Sequence, residues 1–177
     1  AALAVAHCVS GETEDFVALM NETARRLGMT HTHFANPNGL DAEGHYSSAR
    51  DMAMLAAYAL KNQDFRRIVS TASVTIGERY LANHNKLLRL YGGCIGVKTG
   101  FTKAAGRTLV SAAAREGMTL VCATLNDGDD WNDHMALLDY GFANYHMETA
   151  VPAGQVLASV LVQGGTAVSI PLAASED

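Results

Sequence analysis

A lysine, a threonine and a glycine in a row, Lys98-Thr99-Gly100, follow a short strand-like stretch, Ile95-Gly96-Val97, and run on into Phe101-Thr102. An ammonium group on an edge strand creates a positive potential that can hold a carboxylate and favour the deprotonated form of a neighbouring nucleophile. A hydroxyl beside it adds a hydrogen bond to the same carboxylate. A glycine next in line lets the backbone of a bound peptide lie close against the strand, because no Cβ stands in the way. A surface strand ending in a turn would show the same three residues, so the surroundings decide between the two readings.

Three other groups invite a chemical reading. His31 and His33 flank Thr32 at strand spacing, with His45 as a possible third metal ligand. Loop-surface histidines are preferred, since no ordered carboxylate partner is implied. Cys94, four residues before Lys98, is either a thiol near a positive charge or a small packing residue, and packing is preferred. The acids between Asp127 and Asp133 lack the alternating ligands and the glycine of a calcium loop, and read as a solvated loop and helix cap. No metal and no cofactor is expected.

The elements that must position these residues differ between the two halves of the chain. Ala1–Ala6 reads as the interior of a helix. Phe16, Leu19, Met20, Thr23, Ala24 and Leu27 then recur at helical spacing, with Thr13 as cap and Gly28 as stop. Residues 29–46 carry Asn36-Pro37-Asn38-Gly39 and Asp41 with almost no period, a long loop of the kind that often carries function. Ser48-Ala49-Arg50-Asp51 resembles a capping box, opening a helix with Met52, Leu55, Ala56, Ala59 and Leu60 inward. A shorter helical piece follows around Asp64–Val69. The period then changes: Ser73–Ile76 and Ile95–Thr99 predict short strands, and Thr108–Ala114 with Met118–Leu125 an antiparallel hairpin turning at Glu116-Gly117. Asp130 or Asn132 caps a helix with Met135, Leu138 and Phe142 on one face. From Met147, the segments Val156–Val162 and Ala167–Leu172 read as a hairpin with little to pack against. The expected fold class is α+β, helices packed on an antiparallel sheet over residues 1–146, with the start of a β-rich module over 147–177.

Composition sets the outer limits. The chain has 177 residues, 49% hydrophobic and 18% charged, with a net charge of −5 from 13 basic and 18 acidic side chains. That apolar content is enough to offset the entropy of ordering, which excludes disorder. The absence of a basic field argues against nucleic acid or an anionic membrane surface as the main partner. The apolar opening Ala1–Ala6 is far short of the roughly 18–20 residues of a membrane span, and it lacks the basic start of a signal peptide. Cys8, Cys94 and Cys122 are odd in number and form no CxxC pair, so neither a disulfide framework nor a zinc ribbon is expected.

The sequence resembles the serine D-alanyl-D-alanine carboxypeptidases of bacterial cell-wall metabolism, the low-molecular-mass penicillin-binding proteins of peptidase family S11. The likeness runs through Phe16–Asn21, Leu27-Gly28-Met29, Thr32–Asp41, Gly44–Ala53, Asn83–Leu88, Gly96–Thr102, Ala105-Gly106-Arg107, Trp131–His134 and Tyr140-Gly141-Phe142. It covers about residues 1–146 in order. It implies part of the penicillin-binding protein/β-lactamase-like transpeptidase fold, and a mechanism built on Ser-x-x-Lys, Ser-x-Asn and Lys-Thr-Gly. The serine attacks the carbonyl of the penultimate D-alanine and expels the last one; water then releases the acyl group. Only the third motif is here. None of the serines at 10, 47, 48, 70, 73, 111, 159, 169 and 175 has lysine three on or asparagine two on. The family's Ser-x-Asn is expected immediately before Ala1 and the nucleophile further upstream, so these residues alone are expected to be inactive.

By the same resemblance, Lys98 and Thr99, with Gly100 alongside, hold the substrate's terminal carboxylate, and Lys98 tunes the missing serine and lysine. The backbone N–H of Phe101 is one arm of the oxyanion hole. The Asn36–Leu40 loop either borders the cleft, where Leu40 meets substrate, or is a tight connection between helices. Some relatives place an arginine near the site after the last core strand; here that stretch is the acidic Asn126-Asp127-Gly128-Asp129-Asp130, which leaves open whether Arg107 compensates. The implied substrate is a peptidoglycan stem peptide ending in D-Ala-D-Ala, on the extracytoplasmic side of the cell membrane, with β-lactams as acylating inhibitors of the parent. An exposed strand edge is expected to pair with the missing N-terminal part or a second copy. The rival readings are lactam hydrolysis of the class A β-lactamase type and a non-catalytic subunit that binds peptidoglycan peptides.

Overall fold

A computed structural model describes residues 1–175 of the chain. The chain divides into two compact units, Ala1–Tyr145 and a second that begins at His146. The first unit runs α1 (Ala2–Ser10), α2 (Thr13–Arg26), α3 (Ala49–Ala59), α4 (Gln63–Ser70), a hairpin of β1 (Ser73–Ile76) and β2 (Arg79–Ala82), and the single turn α5 (Leu87–Leu90). It continues through β3 (Cys94–Thr102), β4 (Gly106–Arg115), β5 (Met118–Leu125) and α6 (Asp130–Asn144). Helices packed on an antiparallel sheet are thus the fold of this unit.

The sheet has the order β3-β4-β5, all antiparallel. Its middle strand is the most buried element: Leu109, Ser111, Ala112 and Ala113 are fully buried. Alternate residues of β4 enter different layers, as the period of two requires. Val110 and Ala112 pack with Ala56 of α3, with Leu60 just past its end, and with Phe65 and Val69 of α4. Leu109 and Ala113 pack with Leu87 and Tyr91 at α5 and with Leu138 of α6. Each leucine buried in this way stabilises the fold by about 2 kcal/mol. The turn between β4 and β5 places Glu116 at φ 49° and Gly117 at φ 80°, the two left-handed residues that a type I′ hairpin turn needs.

Helix caps depart from expectation in three places. Ser48 Oγ accepts the Asp51 N–H at 3.2 Å, as a cap should. The reciprocal half of the box is missing, because the buried Asp51 carboxylate accepts the His31 N–H at 2.8 Å and the Thr32 hydroxyl at 2.7 Å instead. The Thr32 bond outweighs the opposing burial and, with the His31 N–H, holds this carboxyl below the usual carboxylate range. Asp51 therefore anchors the long loop to α3. Thr13 does not cap α2: Glu12 stands at that position and no side chain bonds the first turn. Asp129, not Asp130 or Asn132, stands at the start of α6, and Asn132 Nδ2 donates to its carboxylate at 2.8 Å. Strand β2 adds to the elements expected from sequence; every residue of β1 and β2 is exposed, so no burial period marks the pair. In the second unit, β6 (Val156–Leu161) and β7 (Ser169–Ala173) form an antiparallel hairpin whose residues are all exposed.

A buried polar clamp ties α6 to the sheet. His134 is fully buried, with Nδ1 2.6 Å from the Ser111 hydroxyl of β4 and Nε2 3.1 Å from the Thr124 hydroxyl of β5. Burial pushes its pKa below the ordinary 6.5. The unfolded chain then binds a proton that the folded chain refuses, so this contribution is complete above pH 6.5 and is lost as pH falls toward the depressed value. Denaturant midpoints taken at about pH 7.5 and about pH 5.5 should fall with acid, and His134→Gln should flatten that slope.

The register of β3 on β4 makes a second demand. Gly100 pairs with Thr108, and a Cβ built on Gly100 would collide with Thr108 Oγ1, whereas Thr108 Cβ lies at an ordinary 3.8 Å. Gly100→Ala should therefore destabilise the chain by about 1–3 kcal/mol, and Thr108→Ala in the same chain should recover most of that loss in a double-mutant cycle.

Candidate active site

A cleft of about 1140 Å³ opens on the first unit. Lys98, Thr99, Gly100, Phe101 and Thr102 line it, and so does every residue from Asn36 to Asp41. All five residues singled out from sequence, Lys98, Thr99, Gly100, Phe101 and Leu40, thus border one space. The Asn36–Leu40 loop lines this space and is at the same time a tight turn in the connection between α2 and α3.

The strand wall owes its position to β4. Lys98 pairs with Val110 and Thr99 with Leu109, both buried, so the wall is fixed from behind. In front, β3 has no further partner strand among the described residues, and in antiparallel pairing alternate residues turn their N–H and C=O groups to that open edge. The Lys98 side chain is exposed, and its Nζ donates to the Thr99 carbonyl. No carboxylate pairs with it among the described residues. An ammonium ion held by only one carbonyl keeps donors free for an anion.

The loop wall is held by its own side chains. Asn36 Oδ1 accepts the Gly39 N–H at 2.8 Å while Asn36 Nδ2 donates to the Leu40 carbonyl at 2.8 Å. Asn38 Oδ1 accepts the Leu40 N–H at 3.2 Å. Gly39 sits at φ 75°, where a side chain would be strained. These asparagine-backbone bonds close a compact turn, which leaves the Leu40 side chain 62% exposed; on the strand wall Phe101 is 70% exposed. The two walls meet where the Thr102 hydroxyl donates to Asp41 Oδ1 at 2.8 Å. Nothing local marks Asp41 as the partner of Thr102, because the two lie 61 residues apart.

Arg107 also lines the cleft, yet it is not free to act as a second anion-binding cation. Its Nε donates to Asp130 Oδ2 at 3.2 Å and its NH2 group to Oδ1 of the same buried carboxylate. Its guanidinium also lies 5.5 Å from the Trp131 ring centre. Asp130 foremost, with Asp127 and Asp129, raises its pKa further.

The remaining candidates are occupied elsewhere. His31 Nδ1 meets the Thr30 hydroxyl at 3.0 Å, His33 Nδ1 lies 2.7 Å from the Gly44 carbonyl, and His45 Nδ1 accepts the Ala35 N–H at 3.0 Å. No group of three His, Cys, Asp or Glu residues able to hold a metal ion occurs among the described residues. Burial pushes the Cys94 thiol up, the reverse of activation, and packs the residue into the core beside Leu109 and Ala113. In the acidic stretch the Asp127 charge raises the Asp133 pKa, while Asp127 Oδ1 accepts the Asp129 N–H at 3.0 Å, a loop contact.

Known proteins share both sequence and fold with this chain. The D-alanyl-D-alanine carboxypeptidase family, peptidase S11, matches over residues 1–129, a span that includes both walls of the cleft. The Bacillus subtilis D-alanyl-D-alanine carboxypeptidase DacF is 35% identical over 184 residues, with 99% of this chain and 47% of that protein covered. The Mycobacterium tuberculosis D-alanyl-D-alanine carboxypeptidase DacB2 is 39% identical over 155 residues, covering 81% and 53%. Among solved structures, penicillin binding protein 5 from Haemophilus influenzae superposes with a TM-score of 0.82 at 31% identity, over 97% of this chain and 52% of that one. The chain spans about half the length of the curated relatives it matches. With the family match covering most of its residues and the Lys-Thr-Gly wall within it, this chain belongs to the D-alanyl-D-alanine carboxypeptidase family, peptidase S11.

Proposed function

We propose that these residues form the carboxylate-binding wall of a serine-type D-alanyl-D-alanine carboxypeptidase, which removes the terminal D-alanine from peptidoglycan stem peptides. The observation that carries the reading is Lys98, a cation without a carboxylate partner among the described residues, beside the Thr99 hydroxyl on an open strand edge inside a cleft. Such a pair suits the free acid end of a peptide. Membership of the family and the likeness to penicillin binding protein 5 support the same reaction.

In this reading the terminal carboxylate rests on Lys98 and Thr99, and the peptide backbone passes Gly100. The carbonyl of the penultimate D-alanine then lies at the Phe101 N–H. A serine outside these 177 residues, from a Ser-x-x-Lys motif, adds to that carbonyl. The developing oxyanion takes a hydrogen bond from the Phe101 N–H, the terminal D-alanine leaves, and water hydrolyses the acyl-serine. The positive potential of Lys98 also favours the deprotonated form of the attacking group. A strained lactam with a carboxylate beside its amide imitates the same substrate features, so penicillins acylate the same serine. Residues 1–146 are part of the catalytic domain in this reading, and 147–177 begin a β-rich domain. The enzyme acts on the extracytoplasmic face, where its polymer lies.

Fluorescent penicillin tests the assignment. The isolated 177 residues should form no covalent adduct, and the full-length protein should be labelled. Lys98→Ala in the full-length protein should slow labelling by about 10²–10³-fold, the range for loss of one electrostatic contact at a reacting centre. Labelling of the 177 residues at a serine, or full-length labelling unaffected by Lys98→Ala, would sink the proposal.

A further inference from the structure

The cleft carries a second charge that the proposed reaction does not use. Asp41 is exposed and lines the same space as Lys98. Its Oδ1 accepts the Thr102 hydroxyl, and that hydroxyl accepts the Ala105 N–H at 2.9 Å, so the carboxylate is pinned to the end of β3. The asparagine-braced turn at 36–40 fixes it from the other side. No Lys, Arg or His pairs with Asp41 among the described residues, although Lys103 adjoins Thr102 in sequence. Arg107, the other cation at the cleft, is bound to Asp130. One end of the strand wall therefore presents a cation, and a point four residues further on presents an anion with no cationic partner among the described residues.

These two charges fit the two ends of one bound segment. A peptide added as a strand to the open edge of β3, with its free carboxylate at Lys98 and Thr99, must run antiparallel to β3, because the cleft follows the strand from Lys98 to Thr102 and not toward Cys94. Strands rise about 3.3 Å per residue, so Thr102 lies about 10 Å beyond Thr99, level with the third residue from the peptide's C-terminus. The penultimate residue passes Phe101 on the way. We infer that Asp41 is a specificity-determining residue, recognising a positively charged amine on the side chain that immediately precedes the two C-terminal alanines. This rests on the carboxypeptidase reading above, which sets where the carboxylate lies.

The test compares two peptides on the full-length protein, N-acyl-Lys-D-Ala-D-Ala and the same peptide with its ε-amine acetylated, by release of D-alanine. Wild type should prefer the free amine by about fivefold in kcat/KM, a size that an exposed charge pair supports, with the difference in KM. Asp41→Asn keeps an oxygen to accept the Thr102 hydroxyl and removes only the charge, so the ratio should fall to about one. Equal use of the two peptides by wild type, or an unchanged preference in Asp41→Asn, overturns the inference while leaving the carboxypeptidase reading intact. An Asp41→Asn enzyme that keeps the preference while Asp41→Ala loses turnover would show a brace for the loop and nothing more, and also overturns it. Cleavage of neither peptide by wild type means that the carboxypeptidase reading has failed, and the inference falls with it.

Discussion

Strand β4 is buried on both faces, and the placement of each residue on the strand wall follows from its pairing there. Leu109 and Ala113 commit one face to α5 and α6, and Val110 and Ala112 commit the other to α3 and α4. A slip of one residue would exchange these sets and push each into the wrong layer. The pairing of Lys98 with Val110 and of Thr99 with Leu109 is thus specified by core packing, not by the cleft. The same constraint explains the glycine at 100. Its partner Thr108 puts a hydroxyl where a Cβ would stand, so the smooth surface offered to a ligand is also what the sheet needs for closure.

The two cations that line the cleft along the sheet have opposite fates for physical reasons. Arg107 sits opposite Phe101 in register, within reach of Asp130 in the first turn of α6. A buried carboxylate left alone would be strongly unfavourable, and the planar guanidinium satisfies both its oxygens. Arg107 is therefore committed to structure, and in the proposed reading it does not stand in for the arginine that some relatives carry. Lys98 has no such neighbour among the described residues. Its side chain is exposed and lines the cleft, which keeps its charge available.

What could be read from sequence was what is local. Lys98-Thr99-Gly100 and the turn Asn36–Gly39 declare themselves within a few residues, and the β4–β5 hairpin shows in its Glu116-Gly117 turn. The features that fix the site's shape join distant residues and leave no local trace: Thr102 with Asp41, Asp51 with His31 and Thr32, Arg107 with Asp130, Ser111 with His134. These contacts also account for the misread helix ends. Asp51 and Asp130 look like capping residues because short acids near a helix start usually are. Each is instead drawn off by a partner that only the tertiary fold supplies. Strand β2 was invisible for another reason, since an exposed pair has no buried face to impose a period.

Leu40 and Phe101 are large apolar side chains left open to water on the two walls of one cleft. Their position beside an uncommitted ammonium group gives that exposure a use in the proposed reading. A peptide lying between the walls covers both side chains and displaces the water around Lys98. Coulomb attraction varies inversely with effective dielectric, so moving from bulk water to the value near a protein surface strengthens a given charge pair about fourfold. The apolar lips thereby raise the worth of the carboxylate contact at the moment of binding. No carboxylate among the described residues pairs with Lys98 and competes with the substrate for its donors. The exposed hydrophobic surface and the exposed cation thus act on one ligand, because a segment that covers the first also desolvates the second.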